Sequence, residues 1–192
     1  HMSDAAIERA FSAAASAGLH TSAFVMLGLP YETPSDMRAT IKMLAHILPG
    51  RFRWSVFYPF PGTRAYDIAK EGGFIIEEKL QKLRNFFTES PLDFGPQVNL
   101  LIDKLNACYP WFVNAESKLE CSAHYRPLVE DIMRLDEDRW LIRKQTIEEE
   151  DAEISRKMVK QGLLHYAIKY NRFMGVRSDY FLSEEQSLMD HP

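Results

Sequence analysis

The segment FVMLGLPYET at residues 24–33 constrains the fold more than any other part of the sequence. The apolar run from Ala23 to Leu27 is typical of a parallel β-strand that is buried between helices on both faces. Gly28 and Pro30 end this strand, because glycine permits unusual backbone dihedrals and proline lacks a backbone N–H donor. Since α/β folds bind ligands where such strands end, we expect a ligand site at this loop.

Helix and strand signals alternate around this segment. The predicted elements are a helix at residues 4–17, a strand at 19–27, a helix at 34–48, a strand at 52–58 and a helix at 64–71. Thr33 and Asp36 have the spacing of a helix cap, with Pro34 at the first helical position. The inward face of this helix is predicted to carry Met37, Ile41, Leu44, Ala45 and Leu48. We expect the two strands to be parallel, with a right-handed helical crossover between them.

Two motifs at this spacing point to a known family. The first is the 24–33 segment, in which a strand ends in Gly-x-Pro-x-Glu-Thr, and the second is FYPFPGT at residues 57–63. Together they resemble the second half of the core of radical S-adenosylmethionine (SAM) enzymes, in the branch that often carries a cobalamin-binding domain upstream. The resemblance implies an α/β fold: the C-terminal part of a partial (β/α)6 TIM-like barrel at residues 3–75, followed by a mainly helical C-terminal domain at residues 76–192.

The resemblance also implies a cofactor site. Its residues are Met26, Leu27, Gly28, Glu32, Phe57 and Tyr58. The strand end at Met26 to Gly28 would line the SAM pocket, and the backbone near Phe57 and Tyr58 would meet the adenine edge. Glu32 would hold the loop by hydrogen bonding. Two structural alternatives stay open: the glycine loop is a simple turn between strand and helix, and Glu32 only favours the helix dipole.

The cysteine content limits what this chain does alone. The family's Cys-x3-Cys-x2-Cys loop, which holds the [4Fe-4S] cluster, is absent, and Cys108 and Cys121 cannot replace three clustered thiolates. His1-Met2 is typical of residues left by cloning. We therefore expect an inactive fragment whose parent uses SAM and the cluster; cobalamin, which this branch often binds, stays an open alternative. Its first partner would be the upstream half of its own barrel.

The region after Gly73 has helical patterning and shares no motif with the family. Helices are predicted at residues 77–87, from Pro96 onward, at 124–135 and at 136–170, with a tail that frays after Gly175. A short strand at residues 140–143 stays open as an alternative. Tyr109-Pro110-Trp111-Phe112 is predicted as an aromatic corner. Its rings, together with that of Trp140, are interpreted as core packing rather than as a wall that faces the substrate. A metal site at Cys121, His124 and His165 is disfavoured against an ordinary buried thiol.

Composition excludes some partners. The net charge of −4 and the lack of a basic run argue against nucleic acid, and no apolar run reaches the roughly 18 residues of a membrane span. With only two cysteines, we expect a cytoplasmic protein. The exposed strand edges of a half-barrel predict a homo-oligomer that buries the edges of residues 22–27 and 52–58. The alternative function is a non-catalytic helical interaction module on a small α/β unit.

Overall fold

The computed structural model describes residues 2–82 and 90–182. In the first range the elements are α1 (Asp4–Ser16), β1 (Ser22–Leu27), α2 (Pro34–Ile47), β2 (Arg51–Val56), α3 (Arg64–Glu71) and α4 (Glu77–Lys82). In the second range they are α5 (Pro96–Glu116), α6 (Ser122–Arg134), α7 (Glu137–Arg143), a 3-10 turn (Lys144–Thr146), α8 (Ile147–Lys160), β3 (Tyr166–Ile168) and β4 (Met174–Arg177). Helical structure resumes at residue 178.

The helix cap predicted at Thr33 and Asp36 is confirmed. The Thr33 hydroxyl accepts a hydrogen bond from the Asp36 N–H, and the Asp36 carboxylate accepts one from the Thr33 N–H, so a complete capping box opens α2. Thr63 likewise accepts from the Tyr66 N–H at the start of α3. Helix α2 ends at Ile47, because Leu48 adopts the left-handed conformation with φ 46°.

The strands form one open, mixed sheet in the order β1-β2-β4-β3. β1 and β2 are parallel, with Ser22 opposite Arg51 and Leu27 opposite Val56, as the helical crossover α2 requires. β4 pairs antiparallel with β2 on one side and with β3 on the other. The protein is therefore a mixed α/β structure with a small sheet, and the described strands do not close into a barrel.

Helices cover only one face of the β1–β2 pair, so the prediction of helices on both faces is wrong. Leu27 on β1 and Trp54 on β2 are buried in the main core, together with Met37 of α2 and Leu105 of α5. On the opposite face, Phe24 is 76% exposed. β1 thus has the in-out alternation of a half-buried strand, although its outward side chains are apolar.

The predicted inward face of α2 is confirmed at four positions. Met37, Ile41, Leu44 and Ala45 are buried, whereas Leu48 is the C-cap and is half-buried. Because these residues recur three and four apart, they form one apolar stripe that packs on the sheet and on α5.

The predicted aromatic corner lies at a kink in α5, where two helical segments meet. Cys108 leaves helical geometry with φ −142° and ψ 41°, two residues before Pro110, whose ring cannot follow a regular helical turn. Tyr109 and Trp111 on either side of the proline are fully buried. Their interpretation as core residues is confirmed, and it holds for Trp140 as well.

The end of the chain differs most from the sequence-based expectation. The helix predicted for residues 136–170 breaks at the 3-10 turn and ends by Gly162, which has φ 68°. A β-hairpin follows, and its strand β4 pairs with β2. The predicted fraying after Gly175 is wrong as far as residue 182, because Val176 and Phe181 are buried in a common cluster. The rest of the predicted tail, and residues 83–87 of the predicted helix after Gly73, lie outside the described residues.

Candidate functional site

The two motif loops lie at the same edge of the sheet. β1 and β2 are parallel, so their carboxyl ends coincide, and the loops at residues 28–33 and 57–63 both leave from this edge. The Phe57 N–H donates to the Leu27 carbonyl at 2.7 Å and extends the pairing by one residue. The sequence-predicted site residues are therefore neighbours in space.

The loop after β1 is fixed by the Glu32 side chain. Gly28 has φ 73°, a conformation that favours glycine, and its N–H donates to Glu32 Oε2 at 2.6 Å. The Leu29 N–H donates to the same oxygen at 3.1 Å. Burial raises the pKa of Glu32, while these two backbone donors act in the opposite direction. Glu32 thus holds the loop by hydrogen bonding; cofactor binding by this residue stays a prediction.

The loop also contains a strained residue. Tyr31 has φ 67°, which is uncommon for a residue other than glycine, and it is 66% exposed. Its ring packs edge-on against Phe74 with 5.0 Å between the ring centroids. This contact joins the loop after β1 to the segment that follows α3.

The side chains of the six predicted residues have different environments. Leu27 and Phe57 are buried in the hydrophobic core, so only their backbone groups lie at the sheet edge. Met26 is 45% exposed on the face without helices. Tyr58 is half-buried, and its ring packs on that of Phe60 with centroids 4.9 Å apart.

The surface at this edge has both apolar and polar parts that bear on the predicted SAM pocket. Met26, Tyr58 and Phe60 offer apolar surface of the kind that accommodates a flat adenine. The N–H groups of Gly28 and Leu29, in contrast, are already bound to Glu32. The space above Gly28 is filled as well, because a Cβ atom there would lie 3.3 Å from Ile102 Cδ1. Any cofactor at this edge would therefore rely on side-chain surface and on backbone groups beyond the glycine.

The cysteines do not fit an iron-sulfur cluster. Cys108 and Cys121 are both buried within the helical part of the protein, and burial raises the pKa of each thiol, that of Cys121 to about 12. The Cys108 thiol donates to the Lys104 carbonyl within its own helix. The two thiols lie thirteen residues apart and are too few for the three clustered thiolates of the family's loop.

The face of β1 and β2 that lacks helices carries residues that the sequence analysis missed. We define the open face by its six outward residues: Ser22, Phe24, Met26, Arg51, Arg53 and Ser55. Arg53 lies directly opposite Phe24 in the parallel register. A signal was available, because Arg51 and Arg53 alternate with the core residues Phe52 and Trp54 along β2.

One arrangement that resembles a catalytic pair is structural. Ser155 Oγ and His165 Nε2 are 2.8 Å apart, but Ser155 is 5% exposed and His165 is fully buried. Burial also lowers the pKa of His165, whose second ring nitrogen lies 2.9 Å from the Leu163 carbonyl. A nucleophile and base closed off from solvent cannot meet a substrate, so the pair joins α8 to the segment before β3.

A separate apolar groove lies between α2, α5 and α6. Its volume is about 540 Å³, and its lining includes Ile41, Phe112 and Met133. Arg38 at its rim forms an ion pair with Glu116 at 2.8 Å. Over residues 2–82 and 90–182, no cluster of three or more His, Cys, Asp or Glu side chains has the arrangement of a metal site. The helices of this same part of the chain are too short or too polar to cross a membrane.

Comparisons of the chain with protein-family models, curated proteins and solved structures gave no significant match. The resemblance to radical SAM enzymes therefore depends on the two sequence motifs and on their placement.

Proposed function

We propose that this chain supplies the last two strands of a partial (β/α)6 barrel in a radical SAM protein, with a helical C-terminal part that packs through α5 on the outer face of these strands. One observation carries the proposal: the parallel β1-α2-β2 unit has both motif loops at one edge and helices on one face only. In (β/α) barrels, helices lie outside the strands and side chains fill the interior, so the open face would line the barrel interior.

The free edge of β1 supports the same arrangement. Among the described residues, β1 pairs only with β2, whereas β2 is covered on its other side by β4. Further parallel strands would therefore add at β1, and β2 would be the last barrel strand. Of the two edges that the oligomer hypothesis needs, only that of β1 is open, because Arg51 to Arg53 pair with β4.

The residues of this chain would have limited roles in such a protein. Met26 and Tyr58 would supply apolar surface for SAM, the backbone around Leu27 and Phe57 would contribute polar contacts, and Glu32 would keep the loop in shape. The [4Fe-4S] cluster supplies the electron for reductive SAM cleavage in this family, and its ligands would come from the upstream half. The chain alone would be inactive, and a cobalamin domain would lie further upstream.

Calorimetric titration of the chain with SAM tests the pocket. We expect binding at micromolar concentration, and Met26→Asp is expected to weaken it at least tenfold. The matched control is Met133→Asp, because Met133 is 46% exposed and Met26 is 45% exposed. Equal effects of the two variants, or no SAM binding, would contradict a pocket preformed in this chain.

The coding sequence upstream of Ser3 gives an independent test. A Cys-x3-Cys-x2-Cys loop should lie about 100 to 150 residues earlier, which is the length of the first half of a small barrel. Its absence would exclude the radical SAM proposal.

A second candidate function is a non-catalytic interaction module. The unpaired edge of β1 beside the 76% exposed Phe24 favours it, because such edges promote association. Sedimentation would detect a homo-oligomer, and Phe24→Ser should then yield a monomer. A monomeric wild type would exclude this candidate.

A further inference from the structure

The open face combines apolar and basic side chains. Phe24 and Met26 on β1 are 76% and 45% exposed, and Arg51 and Arg53 on β2 are exposed beside them. Arg53 lies directly across from Phe24. Opposed residues on neighbouring strands have Cβ atoms roughly 5 Å apart, so the guanidinium and the ring are within reach of one ligand.

The charge of this face is not compensated. Within residues 2–82 and 90–182, Arg51 and Arg53 form no ion pair and no side-chain hydrogen bond, and the open face contains no Asp or Glu. Some other arginines are paired, for example Arg38 with Glu116 and Arg177 with Asp179, whereas Arg51 and Arg53 stand next to each other on one strand face with no acidic neighbour on that face. In a chain with net charge −4, two adjacent unpaired arginines mark a local site for an anion.

We propose that the open face binds a small amphipathic anion, with its apolar part on Phe24 and Met26 and its carboxylate or phosphate at Arg53 and Arg51. The guanidinium group binds both kinds of anion through paired N–H donors. The inference rests on the proposed function, because the open face would then line the barrel interior and the ligand would be the substrate.

The strand geometry adds a length requirement. Arg53 lies three residues before the end of β2 at Val56, which is roughly 10 Å along a strand. The motif loops begin at that end. The substrate would therefore be an elongated molecule whose anionic group lies roughly 10 Å from the part that meets the SAM loop.

A second copy of the chain is a poorer occupant. A twofold contact through this face would bring the same patch of both chains together. Arg51 and Arg53 of each copy would then be buried against a surface that has no acidic group of its own. Such a contact would bury charges without partners, which is unfavourable.

The test uses two fluorescent probes of similar shape, anilinonaphthalene sulfonate and the uncharged phenylnaphthylamine. The sulfonate stands in for the carboxylate or phosphate. We expect the wild type to bind the sulfonate about tenfold more tightly than the uncharged probe, which corresponds to one charge-assisted contact. Arg53→Met should remove this preference, and Phe24→Ser should weaken the binding of both probes.

Arg38→Met is the matched control, because it makes the same change at the rim of the apolar groove between α2, α5 and α6. It should leave both affinities within about twofold. If Arg38→Met weakens binding of the sulfonate probe and Arg53→Met does not, the probe occupies the groove and the inference is wrong. Equal affinity of the wild type for the two probes also overturns it, as does a wild-type dimer that Phe24→Ser converts to a monomer.

SAM titrations of the same variants separate this inference from the proposed function. If the chain binds SAM but Arg53→Met does not change its affinity for the sulfonate probe, only the proposed anion site is overturned. A charge-dependent sulfonate site in a chain that never binds SAM leaves the anion site in place and contradicts the SAM pocket.

Discussion

Trp111 donates its indole N–H to the carboxylate of Asp151 at 2.8 Å, and both side chains are buried. The second oxygen of the same carboxylate accepts the Ile168 N–H at 2.7 Å. Asp151 therefore connects α8 both to the kinked helix α5 and to strand β3. Both bonds require acceptor oxygens, which explains why a carboxylate occupies this apolar environment.

The first prediction concerns pH. Burial raises the pKa of Asp151 to about 6 from an ordinary value of 3.8, against the opposing effect of its two N–H donors. Because the folded-state pKa is the higher one, the folded protein binds more protons between these values, and the free energy of unfolding falls as pH rises through them. The loss amounts to about 3 kcal/mol.

Urea unfolding of the wild type and of Asp151→Asn between pH 4 and pH 7.5 measures this effect. Asparagine does not titrate, so the stability of the wild type relative to the variant should decrease by about 2 kcal/mol over this range, the remainder of the loss lying below pH 4. Parallel pH profiles of the two proteins would show that Asp151 does not titrate in this interval.

The second prediction concerns Glu32. Both loop N–H groups donate to one oxygen of this side chain, so an amide oxygen in the same place can accept both bonds. Glu32→Gln should therefore change the free energy of unfolding by less than about 0.5 kcal/mol, whereas Glu32→Ala should cost about 1–3 kcal/mol. Hydrogen exchange at the Gly28 amide should accelerate only in the alanine variant. Equal exchange rates in the two variants would show that the loop does not depend on these bonds.

The third prediction separates backbone strain from crowding at Gly28. Gly28 and Gly62 have φ of 73° and 85°, but a Cβ atom would lie 3.3 Å from Ile102 Cδ1 at Gly28 and in open space at Gly62. Gly62→Ala should cost about 1 kcal/mol from strain alone, and Gly28→Ala about 2–3 kcal/mol. Ile102→Ala in the Gly28→Ala background should restore only the part of the lost unfolding free energy that comes from crowding against Ile102. Equal costs at the two glycines would mean that Ile102 moves aside freely.

The fourth prediction tests the packing of α2. Leu44 is 2% exposed in the main core, so Leu44→Ala should lower the free energy of unfolding by about 2–5 kcal/mol. Leu141 on α7 is 52% exposed, and Leu141→Ala should cost less than about 0.5 kcal/mol. A cost below about 0.5 kcal/mol at Leu44 would mean that another face of α2 packs on the sheet.

Local signals in the first part of the chain were sufficient to predict its elements. The cap at Thr33 and the apolar stripe of α2 depend on residues three or four apart; the cap is confirmed, and so are four of the five predicted positions of the stripe. The face of β1 could not be predicted in the same way, because Phe24 and Met26 are apolar and yet exposed. An apolar run alone does not distinguish a strand covered on both faces from one whose second face is free.

The exposed arginines of β2 were missed for a related reason. The predicted strand at residues 52–58 excludes Arg51, and the sequence analysis assigned no role to Arg53, although the alternation of both with Phe52 and Trp54 indicates an exposed face on β2. Which residues lie beside these arginines in the sheet depends on β4, which comes from more than a hundred residues later in the chain. Long-range pairing of this kind has no local signal.

The hairpin β3–β4 was missed because its strands are only three and four residues long. Strands this short carry too little alternation to be distinguished from the end of a helix. Their position is fixed by tertiary contacts. Asn114 of α5 donates through Nδ2 to the Tyr166 carbonyl and accepts the Tyr166 N–H on Oδ1, both at 2.8 Å.

The last prediction tests this anchor. Asn114 is fully buried, so Asn114→Ala leaves the N–H and the carbonyl of Tyr166 without partners and should cost about 2–5 kcal/mol. Asn114→Asp keeps the acceptor but places a carboxylate oxygen against the Tyr166 carbonyl, and it should cost at least as much. Gln97→Ala is the control, since this amide side chain is exposed on the same helix. Amide exchange at Tyr166 and Val176 should accelerate in the two Asn114 variants, because this contact holds the hairpin to α5 while the pairing of β4 holds it to β2. A cost below about 1 kcal/mol with unchanged exchange would mean that the pairing of β4 with β2 holds the hairpin without Asn114.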